Sequence, residues 1–152
     1  MPRSPSGGLP EGSGALVLES IANPAAGAGA QLICPPGQRR LVHSINFMLQ
    51  TDATVIGRYA FIARTNGPVI VQGYVNTAAQ TASQTFGYAF QAGGFLGVRV
   101  ALDVALNSFY FQPLPDFNWW WSGLDFWIRV QLMQAADQLL YIRVLYERWL
   151  AN

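Results

Sequence analysis

The stretch LDFWIRVQLMQAADQLLYIRVLYERWL, residues Leu124–Leu150, decides the fold. Leu124, Phe126, Ile128, Val130 and Leu132 occupy alternate positions, with Asp125, Trp127, Arg129 and Gln131 between them. Side chains of a strand alternate between two faces, so this spacing gathers the apolar set on one side. Gln134-Ala135-Ala136-Asp137-Gln138 interrupts the pattern with small and polar residues, as a hairpin loop does. Alternation then resumes, with Leu140, Ile142, Val144 and Tyr146 on one face and Tyr141, Arg143, Leu145 and Glu147 on the other. Neither arm has the three- and four-residue spacing of an amphipathic helix. The stretch reads as one long antiparallel hairpin.

Its second face is unusual. Trp127, Met133, Tyr141, Leu145 and Trp149 stand there beside Asp125, Arg129, Arg143 and Glu147. A one-sided sheet turns Thr, Ser, Lys and Gln to water. Large aromatics mixed with Arg are the composition of a surface that another protein covers. A second sheet or a loop of the same chain would account for them equally well.

Working outward, Asp116-Phe117-Asn118-Trp119-Trp120-Trp121-Ser122-Gly123 reads as a loop. Three adjacent Trp cannot all face one way, so at least one lies over the surface or against a partner. Upstream, Arg39–Thr51 alternates with Leu41, His43, Ile45, Phe47 and Leu49 on its apolar face. Asn66-Gly67 is a strong hairpin signal between runs at 55–65 and 69–75, because both residues tolerate positive φ. Weaker strands are read at 15–21, with Leu16 and Leu18 sharing a face, at 31–34, at 84–90 and at 95–107. Roughly eight or nine short strands with turn signals between them predict an all-β chain, an antiparallel β-sandwich of jelly-roll type. That domain spans residues 15–152. Residues 1–14, with Pro2, Pro5 and Pro10 among Gly and Ser, form an extended or disordered arm in which Leu9 and Arg3 are the groups able to grip a neighbour.

Composition narrows the function. Charged residues are 11% of the chain and hydrophobic ones 51%, against a usual charged share of roughly 25%. Burial in an assembly would compensate for so little charged surface. No apolar run reaches the ~20 residues that span a bilayer, and no signal-peptide core is visible, so no membrane partner is expected. The net charge of +1 offers no field for nucleic acid. Every basic residue is Arg, a bias that interface chemistry and a GC-rich genome produce alike. The single cysteine, Cys34, excludes an internal disulfide and reads as a small buried hydrophobe.

Motifs of catalysis are scarce. The sole histidine, His43, falls on an apolar strand face, where a hydrogen-bonded core imidazole is the default. One His and one Cys are too few for zinc, so neither metal nor cofactor is expected. Neither a nucleophile elbow nor a phosphate loop occurs. Asp116 and Asp125 flank the Trp cluster, a distant echo of a glycosidase pair. Trp119, Trp120 and Trp121 serve better as non-catalytic sugar platforms or as anchors of a subunit contact. The expectation is a protein that is not an enzyme.

Three stretches carry a resemblance. The small-residue loop, short strand and Pro-Gly turn of Asn23–Arg39 lead into RRLVHSINFMLQTDATVIGRYAFI; later, Leu114-Pro115 precedes the terminal segment with its Ala-Asp loop and final VLYERW. This order resembles small all-β virion proteins of tailed bacteriophages, found as capsid decoration (cement) proteins or other accessory head and tail components. The Trp-rich loop departs from that pattern. The resemblance implies a structural subunit on the phage head, with the major capsid protein as partner, often at threefold positions and hence a homotrimer. A head–tail adaptor and a carbohydrate-binding virion module are the alternatives. Candidate contact residues are Trp119, Trp120, Trp121, Trp127, Arg129, Tyr141, Arg143 and Trp149, with Arg3 and Leu9 from the arm.

Overall fold

The computed structural model describes residues 13–66, 69–75, 79–92, 108–114 and 119–150. The described residues form ten strands: β1 (Ser13–Ile21), β2 (Ala30–Leu32), β3 (Gln38–Gln50), β4 (Tyr59–Asn66), β5 (Val69–Val75), β6 (Thr85–Ala92), β7 (Ser108–Leu114), β8 (Trp119–Trp121), β9 (Leu124–Gln131) and β10 (Gln138–Leu150). Among the described residues there is no helix. The all-β class expected from the alternating runs is the class observed. Pairing is antiparallel throughout except for β6 and β7, which run parallel. The predicted strand at 95–107 lies outside the described residues, as do Asp116 and the arm from Met1 to Gly12 with Arg3 and Leu9. β1 begins at Ser13, two residues ahead of the expected domain start.

The sheet runs in the order β1-β10-β3-β8-β9-β4-β5, with β2 added to β9, β6 to β3 and β7 to β6. The terminal stretch is therefore not a hairpin. β10 pairs with β1 and β3, whereas β9 pairs with β4, β2 and β8. Phe126 and Ile128 of β9 share one core with Leu139, Ile142 and Val144 of β10. Laid side by side, the two arms would present nine alternate apolar positions to a single face that needs another cover. Sent to different parts of the sheet, they cover each other. The loop between them is an arch.

β3 is the strand that joins the two halves. One of its edges lies along β10; the other is shared by β8 at Arg39–Leu41 and β6 at Ser44–Gln50. A β-bulge at His43 separates these pairings, because Leu145 and Tyr146 of β10 face Ser44 and Val42 with His43 left over. One extra residue reverses which alternate positions point inward. Arg40, Val42 and Ser44 are buried before the bulge, and Ile45, Phe47 and Leu49 after it. His43 consequently leaves the core. It stands half-buried with Nε2 3.1 Å from Glu147 Oε1, correcting the expectation of a core imidazole.

β1 is turned over as well. Its partner β10 commits Val144 and Tyr146 to the core, and these lie opposite Glu19 and Val17. Directly opposed residues share a face, so Val17, Glu19 and Ile21 point inward. Leu16 and Leu18 point out and are 65% and 61% exposed. The Asn66-Gly67 signal does close a hairpin, β4–β5, with Asn66 opposite Val69.

Candidate interaction surface

Among the described residues two cations, Arg40 and Arg58, and one carboxylate, Asp137, are buried, and each is paired by the elements around it. Arg40 is carried inward by β3 and lies over the rings of Trp120 and Tyr146, 4.7 and 4.3 Å from their centroids. Its Nη1 donates to Glu19 Oε2 at 3.0 Å, and the Tyr146 hydroxyl donates to the same oxygen at 2.9 Å. Burial, then the bond to Glu19, pushes the Tyr146 phenol up to about 12, Arg40 opposing. The Cys34 thiol is also raised by burial, which keeps it protonated and unreactive.

This cluster explains the Trp run. Trp119–Trp121 is a strand paired to Arg39–Leu41, and Trp120 sits opposite the inward-facing Arg40. It is fully buried, edge-to-face with Phe126 and Tyr146. As a surface contact or sugar platform Trp120 is overturned: its strand pairing gives it to the core. Trp121 remains 42% exposed, beside a depression of about 390 Å3 lined by Gly37, Gln38, Arg39 and Ser122. The Trp119 side chain lies outside the described residues.

Arg58 is the second buried cation. Nε and Nη2 donate to the two carboxylate oxygens of Asp137, both at 3.0 Å. Nη2 also donates to Asp52, and Nη1 to the carbonyls of Thr54 and Ile56 at 2.6 and 2.8 Å. All five guanidinium hydrogens are thereby used. Asp137 in turn accepts from the backbone N–H groups of Asp52 and Gln134 at 2.9 and 2.7 Å. The Asp52 carboxyl is held below its ordinary range by hydrogen bonds from Thr54 first, then by Arg58. Gln80 exchanges backbone hydrogen bonds with Arg58 and accepts from the Tyr88 hydroxyl at 2.9 Å, and Gly27 N–H donates to the Asp137 carbonyl. The β3–β4 and β9–β10 connections thus meet on one guanidinium, and backbone hydrogen bonds to Arg58 and Asp137 add Gln80 of the β5–β6 connection and Gly27 of the β1–β2 connection. Sequence reading placed Asp137 in a hairpin loop; nothing in its neighbours signalled a distant Arg.

The candidate contact residues of β9 and β10 lie on two outward faces. The expected composite patch is divided between them, because β9 and β10 part company. On β9, Trp127 packs under Arg129, whose guanidinium carbon is 4.8 Å from the ring centroid. Gln31 of β2 donates to Asp125 at 2.9 Å beside them. Both Trp127 and Arg129 are half-buried.

The β10 face is more open. Leu145 lies opposite Leu18, and Arg143 opposite Ser20, so the exposed leucines of β1 continue onto β10. Tyr141 is 66% exposed and has φ of 52°, a left-handed conformation that costs a non-glycine residue about 1–2 kcal/mol. It sits at a register shift between Leu140 and Arg143, and its N–H donates to Asn23 Oδ1 at 3.1 Å. A bulge of this kind re-aims a side chain. Here it sets the phenol beside Arg143, on the rim of a depression of about 360 Å3 whose floor includes Asn46 and Met48. Trp149 serves differently: its ring lies so close to Gly14 that a Cβ there would be 2.6 Å from the ring. Gly14, with φ of 81°, permits that contact and anchors the start of β1.

Comparison with protein families, with curated proteins and with solved structures gives no significant match. Of the residues singled out in the sequence, Tyr141, Arg143 and Trp149 share the β1–β10 side. Trp127 and Arg129 form a separate patch, Trp121 a third site, and Trp120 belongs to the core. Leu16 and Leu18 were missed, since alternation alone does not say which face of β1 turns inward.

Proposed function

We propose that this chain is a non-catalytic structural subunit of a virion, a decoration (cement) protein that docks on the phage head through the outward face of β1 and β10. The observation that carries the docking role is the run of Leu16, Leu18, Tyr141 and Arg143 on one open face. A strained aromatic held out beside an arginine and exposed leucines is the composition of an interface core. The virion setting comes from the sequence pattern of Asn23–Arg39 and the terminal VLYERW segment. The buried cations Arg40 and Arg58 are paired with carboxylates of the same chain, which suits a scaffold whose work is contact.

The test is cosedimentation of purified protein with phage heads stripped of it, followed by electron microscopy. The protein is expected on the head lattice, and Y141E/R143E is expected to fold but remain in the supernatant. Protein that ignores heads overturns the reading. Density at the portal or tail marks a head–tail adaptor instead. Binding to host polysaccharide without head binding would favour the sugar module, for which Trp121 is the exposed ring.

A further inference from the structure

The geometry points to a second copy of this chain as the occupant of the open edge of β1, the two β1 strands pairing antiparallel about a twofold axis at Val17. Leu16 and Leu18 also belong to the docking face, but this inference rests on the edge of β1 and its test involves no capsid.

Among the described residues β1, nine residues long, bonds to β10 alone, and no described strand lies on its other edge. Natural edges are blunted by Lys, by Pro, by shortness or by a cover. SGALVLESI has no Lys and no Pro, and its outward side chains from Leu16 to Ser20 are exposed. Its one charge, Glu19, is turned inward and held by Arg40 and Tyr146. The edge thus lacks the usual defence against pairing and presents two leucines instead.

The sequence of the strand is also self-complementary. Directly opposed residues in an antiparallel pair share a face, so the axis must pass beside a residue for both copies to keep the same side outward. An axis at Val17 sets Leu16 of each copy against Leu18 of the other, giving two apolar pairs. Glu19 then opposes Ala15, and no like charges meet. Moving the axis to Leu18 puts Leu16 against Ser20, and moving it to Glu19 sets two carboxylates opposite each other. Rows across the joined sheet read Leu145, Leu18, Leu16 and Glu147, the first two from one copy and the last two from the other. An isologous contact of this kind closes at two copies.

The experiment uses the full chain without heads. Light scattering or sedimentation should give twice the chain mass of 16.7 kDa. L16K/L18K, changing two side chains that are mostly in water, should keep the wild-type circular dichroism and a cooperative unfolding transition yet run as a monomer. Isotope-filtered NMR on a mixture of labelled and unlabelled protein should show methyl contacts between Leu16 of one copy and Leu18 of the other. A wild-type monomer, a trimer, a dimer that survives L16K/L18K, or intermolecular contacts at another edge would each overturn the proposal. Its failure leaves head binding untouched, since no capsid takes part.

Discussion

Replacing Asp137 by alanine removes the acceptor of four hydrogen bonds, two of them from the fully buried Arg58. Nε then has no acceptor, and Nη2 keeps only Asp52. Water has no ready access to a guanidinium of zero exposure. Breaking a buried pair by deleting one partner costs ~3–5 kcal/mol, a large part of the ~5–15 kcal/mol that holds a typical domain together. The melting temperature should fall by roughly 6–20 °C for a chain of this size. Arg58→Met should cost a comparable amount, because it strands the Asp137 carboxylate. R58M/D137L removes both buried charges, so its loss should be smaller than the two single losses added, with a coupling of ~1–3 kcal/mol. Urea unfolding of the wild type, the two single variants and the double variant measures this directly, provided that m stays constant. The single variants should also be cut sooner by protease at residues 51–58 and 132–138, which lose their common anchor. A D137A loss below ~1 kcal/mol, or strict additivity, would refute the claim that one guanidinium ties these connections together.

The Trp run makes a second test: Trp120→Ala should cost ~3–5 kcal/mol as a buried aromatic truncation, whereas Trp121→Ala should stay within about 0.5 kcal/mol in thermal unfolding. Gly14→Ala combines a left-handed φ with a Cβ 2.6 Å from the Trp149 ring; a destabilisation of at least ~1 kcal/mol by urea titration is expected. Tyr146 binds its proton more tightly folded, at about 12, than unfolded, near 10. Its contribution is therefore complete below pH 10 and is lost as pH rises towards 12. Melting curves across that window should fall less steeply for Tyr146→Phe than for the wild type.

The sequence by itself determined the fold class and most of the strands. Alternation with period two is a backbone property, so Ile45–Leu49, Phe126–Ile128 and Ile142–Tyr146 declared their inward residues without any partner in view. The pairing of Asn66 with Val69 was likewise a local matter, signalled by the Asn-Gly dipeptide between the two strands. Which strands lie beside one another is not local, and there the reading of Leu124–Leu150 failed: an arch and a hairpin share one pattern, and only the closure of a common core chooses between them. The outward turn of Leu16 and Leu18 follows from the pleat of β10. The exit of His43 follows from one unpaired residue opposite Leu145 and Tyr146. Trp120 is in the core because Arg40, its neighbour across β3 and β8, already points there. Each of these was decided by a register between distant segments, and shifting a register by one residue exchanges core for surface while leaving every local preference satisfied.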